Sequence, residues 1–230
     1  TDFQCTISTW QSLYKMPPGY FDQFGVVFGD ECHLYKAKSL TAIMEKLVNC
    51  PIRIGTTGTL DGTKAHKLMI EGLFGVVFKA ASTKDLINKE ILSEFEIDSI
   101  LLKYPMEICK SYKRLTYQEE ISQLIQLQAR NDFITDLAKK VKGNTLILFQ
   151  YVKNHGIPLY DQMTSKSKGK VFLVHGGVSA DIREDIRRIT EQEDDAIIVA
   201  SYGTFSTGVS IKKLHNIIFA SPSKSRIRVL

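Results

Sequence analysis

Apolar residues fall along this chain in two rhythms. Positions 24–29 form a short, nearly continuous apolar run ending at an acidic pair, and 38–49 follow with Leu40, Ile43, Met44 and Leu47 at helical spacing. Cys50-Pro51 stops that predicted helix, and 52–54 begin a second short strand that runs into Gly55-Thr56-Thr57-Gly58-Thr59. Strand, helix, strand is the crossover unit of a parallel sheet. The second half repeats the pattern, with predicted strands at 145–149, 170–174, 196–200 and 217–220 and predicted helices at 152–163 and 179–190. Alternation of this kind predicts an α/β fold with two mostly parallel sheets flanked by helices.

Between the two halves, 94–104 alternates like a strand and is closed by Pro105. A long amphipathic helix is then expected over 116–141, its stripe of Ile121, Leu124, Ile125, Gln128, Phe133, Leu137 and Val141 serving to pack on a sheet. The domain boundary is placed near Ser93, giving domains 1–93 and 94–230, with the loop 106–114 as a rival position.

Composition narrows the class. The 230 residues are 43% hydrophobic and 24% charged, with no low-complexity segment, which excludes a disordered tail or a fibrous repeat. The net charge of +5 suits a polyanionic partner without requiring one. Cys5, Cys32, Cys50 and Cys109 are widely spaced without a CxxC or Cys/His cluster, so they read as core thiols in a reducing compartment rather than zinc ligands or disulfides. No apolar stretch approaches bilayer length and no signal-peptide pattern opens the chain, which predicts a cytoplasmic protein with no membrane partner. The chain starts at Thr1 within an ordered-looking segment and stops at Leu230 within an amphipathic pattern, so both ends read as cut.

The candidate chemistry begins at Asp30-Glu31-Cys32-His33, directly after the apolar run Val26-Val27-Phe28. Ligands of parallel sheets bind beyond the carboxyl ends of strands, so two carboxylates fall where a nucleotide would sit. Phosphoryl transfer to water needs one acid for hydrated magnesium and another group for the attacking water; Asp30 fits the first role and Glu31 the second. The competing explanation is an exposed acidic turn capping the next helix. A hydroxyl-rich strand end at Ser201-Tyr202-Gly203-Thr204 can present donors to phosphate, or it can be a simple turn between strand and helix.

Asp30-Glu31-Cys32-His33 resembles motif II of superfamily 2 helicases, in its DECH form. Thr57-Gly58-Thr59 stands one crossover later, where that family has motif III, and the resemblance implies a coupling role that includes a bond to His33. Ser8-Thr9-Trp10-Gln11-Ser12 resembles motif Ib, implying backbone contacts to nucleic acid by Thr9 and Trp10; the alternative is a helix N-cap with Trp10 in the core. Residues 146–150, ending in Gln150, resemble motif IV, and His175-Gly176-Gly177 resembles the motif after the next strand. Residues 198–210 resemble motif V, with Ser201 and Thr204 toward nucleic acid and Gly208 and Ser210 toward ATP. Many family members carry Asp where this chain has Ser210, which puts any ribose or magnesium-linked role there in doubt.

The family implies two RecA-like domains closing on ATP and Mg2+ and stepping along a strand. Residues 1–93 match the carboxyl-terminal part of the first domain and 94–230 the second, cut before motif VI. The runs 30–34, 116–121 and 199–203 are similar to a phage branch of the family that remodels branched DNA. That branch implies forks, Holliday junctions and RNA–DNA hybrids as partners, in recombination, repair and replication within the infected cell. No G-x-x-x-x-G-K-[ST] occurs, so a phosphate loop is expected before Thr1 and an arginine finger after Leu230, and the 230 residues alone are expected to lack ATPase activity. Two further readings are the motor subunit of a type III restriction system and a remnant that binds nucleic acid without hydrolysis. Nuclease residues downstream would favour the first.

Overall fold

A computed structural model describes residues 5–58, 60, 63–205 and 211–222. It divides into two compact units, Thr1–Ser99 and Ile100–Val229, a few residues past the boundary expected from sequence. Among the described residues no helix is long and apolar enough to cross a membrane.

The first unit contains α1 (Trp10–Tyr14), β1 (Val26–Gly29), α2 (Lys38–Lys46), β2 (Ile52–Gly55), α3 (Lys64–Phe74) and α4 (Thr83–Asn88). The predicted crossover forms: β1 pairs in parallel with β2, from Val26 opposite Ile52 to Gly29 opposite Gly55. Its core gathers Phe21, Leu40, Ile43, Met44, Leu47 and Cys50, with Val27 and Phe74 packed against them. Both strands end in glycine because the ring of Phe74 lies across them. A Cβ on Gly29 would fall 2.6 Å from Phe74 Cζ, and one on Gly55 would fall 3.0 Å from the Cβ of Cys32.

The second unit contains α5 (Met106–Tyr112), α6 (Tyr117–Leu124), α7 (Gln128–Lys140), β3 (Thr145–Phe149), α8 (Ile157–Lys166), β4 (Val171–Val174), α9 (Ala180–Gln192), β5 (Ile197–Ser201), α10 (Tyr202–Phe205) and β6 (Asn216–Phe219). Its four strands pair in parallel in the order β4-β5-β3-β6. Alternate residues of β3 feed opposite layers. Ile147 and Phe149 join Ile134, Ala138, Leu159 and Met163 from α7 and α8, whereas Leu146 and Leu148 join Ile186 from α9. Fully buried Asn144 locks the start of β3, donating to the carbonyls of Thr190, Glu193 and Lys213 and accepting from the Ala196 N–H.

Four expectations need correction. The helix expected over 116–141 is two helices, broken at Ile125–Leu127 where Leu127 is extended and Asn131 Nδ2 donates to the Ile125 carbonyl at 3.0 Å. The alternating stretch 94–104 forms no strand; Phe95, Ile97 and Leu101 are exposed, and without a neighbouring ladder alternation alone makes no sheet. The helix expected at 152–163 opens as a π-turn, Val152–Gly156, before α8 begins. Only two of the four thiols lie in a core: Cys32 and Cys50 are buried, whereas Cys5 and Cys109 are exposed.

Candidate functional site

In the first unit the chain leaves β1 at Gly29 and enters a tight turn at Asp30-Glu31. Glu31 adopts left-handed backbone angles, φ 47° and ψ 48°, unfavourable for a residue with a Cβ by roughly 1–2 kcal/mol. Two bonds extend the parallel ladder past the strand ends: Thr56 N–H to the Gly29 carbonyl at 3.0 Å and Cys32 N–H to the Thr56 carbonyl at 2.9 Å. They bring the residues after β1 against those after β2.

The two carboxylates are held differently. Asp30 is exposed, and its Oδ1 accepts from the Glu31 N–H at 2.9 Å and the Thr56 hydroxyl at 3.3 Å. Glu31 Oε2 lies 3.1 Å from His33 Nδ1 and 3.4 Å from the Thr57 hydroxyl. His33 Nδ1 is also 2.9 Å from Thr57 Oγ1. A proton on His33 Nδ1, with the Thr57 hydroxyl donating to Glu31, gives every contact of this triangle a donor and an acceptor. Burial pushes the Cys32 thiol up, which suits a packing residue under the turn.

Sequence reasoning missed a further contact. His66, buried on α3, places Nε2 2.9 Å from the His33 carbonyl. A lone histidine in an amphipathic helix carries no signal of this in the sequence. Of the remaining candidates in this unit, Gly58 is exposed and Thr59 lies outside the described residues. Thr9 occupies the N-cap position of α1, but its Oγ1 meets Ser12 Oγ at 3.3 Å instead of capping the backbone. Trp10 is 43% exposed, so the alternative that placed it in the core does not hold.

In the second unit the parallel register sets Leu148 and Val174 both opposite Ala200. Gln150, His175, Gly176 and Ser201 therefore share the carboxyl edge of one sheet. His175 Nδ1 accepts from the Gly177 N–H at 3.1 Å. Ser201 Oγ and Thr204 Oγ1 are 2.7 Å apart, and Thr204 is buried, so these hydroxyls are bonded to each other. Behind this edge Ser221 Oγ accepts from the Gln150 N–H at 2.9 Å and lies 2.9 Å from His155 Nδ1, while the Tyr202 hydroxyl donates to the Ser221 carbonyl at 2.8 Å. Lys213 is paired with Asp194 at 2.6 Å, and Lys212 N–H bonds Glu191 at 3.2 Å. Gly208 and Ser210 lie outside the described residues.

No protein-family model matches the chain. It is 38% identical over 232 residues to the ATP-dependent DNA helicase uvsW of Enterobacteria phage T4, a match covering all of this chain and 46% of the helicase. The chain thus spans about half the length of the curated relative it matches. Among solved structures, the crystal structure of T4 UvsW matches with a TM-score of 0.54 at 36% identity, over 96% of this chain and 43% of that one. Dbp5 of S. cerevisiae, bound to RNA and ADP BeF3, matches with a TM-score of 0.47 at 12% identity, over 87% of this chain and 45% of its own.

Proposed function

We propose, from the premise that this chain is similar over its whole length to the ATP-dependent DNA helicase uvsW of phage T4 and that its motifs resemble those of superfamily 2 DECH-box helicases, that it is the motor portion of an ATP-dependent nucleic-acid helicase. The observation that carries the reading is the triangle of Glu31, His33 and Thr57 beside Asp30, at the carboxyl end of a parallel strand. The first unit is the part of a first RecA-like domain with motifs Ib, II and III, and the second unit is a second such domain with motifs IV and V.

The residues present fit ATP with magnesium. Asp30 is an exposed carboxylate anchored through Oδ1, an arrangement suited to hydrated Mg2+. When bound, the metal neutralises phosphate charge and orients the nucleotide. Glu31, steadied by His33 and Thr57, orients the attacking water and accepts its proton. Thr57, Gly58 and Thr59 couple that site to motion, and the family resemblance implies ATP contacts by Gly208 and Ser210, with no ribose or magnesium-linked role assigned to Ser210. Contacts to the nucleic-acid backbone are assigned, by the family resemblance, to Thr9, Trp10, Gln150, His175, Gly176, Ser201 and Thr204. Because Ser201 and Thr204 bond each other, they contribute by exchanging that bond for phosphate or sugar oxygens.

The partner is DNA in branched or forked form, or an RNA–DNA hybrid, during phage recombination, repair and replication in the cytoplasm of the infected host. Its relative's description as an ATP-dependent DNA helicase supports DNA as the substrate class. ATPase assays of the full-length polypeptide test the reading. Glu31→Gln, which keeps shape and loses basicity, is expected to lower turnover by about a hundredfold or more while ATP still binds. Asp30→Asn is expected to weaken magnesium-dependent binding. Turnover near the parent level in Glu31→Gln would overturn the assignment of Glu31.

A further inference from the structure

We propose that His66 is a positioning residue for the hydrolytic site, holding from α3 the backbone of the residue whose ring joins Glu31 to Thr57. The catalytic consequence rests on the helicase reading above; the contact itself does not.

The residues that follow β2 fasten to His33 twice. Thr57 meets the His33 ring at 2.9 Å, and nine positions later His66 Nε2 meets the His33 carbonyl at 2.9 Å. A carbonyl can only accept, so the proton of this bond sits on His66 Nε2. The ring is 5% exposed, and a bond shielded from water in this way is stronger than one at the surface. His66 is placed by its own helix start, where Thr63 caps α3 and accepts from the His66 N–H at 3.4 Å.

The turn that carries His33 needs an outside anchor. Cys32–Lys36 is a short 3-10 helix entered through the left-handed Glu31, and such turns hold themselves poorly. Thr57 fixes the ring and His66 fixes the backbone of the same residue. Thr57, a motif III position, and His66, near the start of α3, are consequently the two ends tied to His33. Displacing either end pulls on the group that sets Glu31, so loss of the His66 bond is expected to act on turnover more than on nucleotide affinity.

Two substitutions in the full-length polypeptide separate position from bulk. His66→Leu fills the space without a donor, and His66→Gln returns an amide N–H at nearly the same reach. Nucleic-acid-stimulated kcat should fall about ten- to a hundredfold in His66→Leu, the loss expected from a small misplacement of reacting groups. KM for ATP should stay within about twofold, and His66→Gln should recover most of the kcat. In the 230-residue chain, imidazole 15N–1H spectra should show the His33 ring signals displaced by His66→Leu and restored by His66→Gln. If His66→Leu does not fold, as judged by its thermal midpoint, His66→Asn, polar but too short to reach, takes its place. Parental kcat with unmoved His33 signals overturns the proposal, as does an equal loss in the Gln variant. Should the unsubstituted protein hydrolyse no ATP, the helicase reading fails, and the His33 signals alone decide whether His66 positions that ring.

Discussion

Every position of β3 (Thr145–Phe149) is buried, whereas β1 (Val26–Gly29) leaves Val26 and Phe28 in solvent. The amino-acid types are much the same, so the difference lies in what surrounds each strand. β3 has a parallel neighbour on each side and helices packed on both faces. β1 and β2 have a covered face, closed by α2, α3 and Phe74, and an open one on which Val26 registers with Ile52 and Phe28 with Ile54. The carboxylate pair thus sits on the thinner of the two sheets. Cohesion near the site depends less on apolar burial and more on the polar bonds among residues 29–33, 56, 57 and 66.

The largest effect that can break this comparison comes from truncating matching aromatics. Phe149→Ala removes a fully buried ring and should lower stability by about 3–5 kcal/mol. Phe28→Ala removes a ring that is 70% exposed and should change stability by no more than about 0.5 kcal/mol. Denaturant unfolding of the 230-residue chain, followed separately in each unit, measures both. A large loss from Phe28→Ala would mean that the open face is covered in solution.

Acid should sharpen the contrast next. His155 is fully buried in the second unit, and desolvation, aided by the Arg130 cation, lowers its pKa from 6.5 to about 4. The folded unit therefore refuses a proton that the unfolded chain accepts. This contribution to stability is intact above pH 6.5, shrinks as pH falls toward 4, and amounts to a loss of about 3 kcal/mol across that window. Melts of the second unit at pH 7 and pH near 4.5 should differ by most of that amount. His155→Gln, which takes up no proton, should flatten the dependence. Unchanged pH dependence in that variant would assign acid sensitivity elsewhere.

The same contrast explains what could be read from sequence. Strands 145–149 and 196–200 are continuous apolar runs, and such runs declare a strand covered on both faces whatever the remainder of the chain does. The acidic pair stands out as a candidate for a related reason: ligands of parallel sheets bind beyond strand ends, and the apolar run before it declares that end. The bond between His33 and Thr57, across 24 positions, needed the crossover and its register to bring both strand ends together. Other features had no local sign. Ile125-Gln126-Leu127 holds neither Gly nor Pro, so the break between α6 and α7 depends on Asn131 reaching back to the Ile125 carbonyl. Trp10 reads as a core residue by type, yet α1 buries none of its five residues. His66 matters through a neighbour's backbone oxygen, and no side-chain pattern encodes that.

The smallest effect compares two helix starts built alike in unlike surroundings. Ser82 caps α4 and Thr116 caps α6, each in a reciprocal box with the acidic residue three positions on. The hydroxyl and backbone N–H of Ser82 hold the Asp85 carboxyl below its ordinary range, and those of Thr116 do the same for Glu119. Removing either hydroxyl should weaken its own helix by about 1 kcal/mol. What differs is how far the loss travels. Helix α6 buries Ile121 and ends at the buried Ile125, so fraying it opens part of the core, and Thr116→Ala should lower the unfolding midpoint of the second unit. Helix α4 buries none of its residues, so it can fray while the remainder of its unit stays folded. Ser82→Ala should therefore speed amide exchange within Thr83–Asn88 and leave the unfolding midpoint of the first unit where it was. A midpoint shift equal to that of Thr116→Ala would show α4 to be part of the cooperative fold and would narrow the difference between the two units.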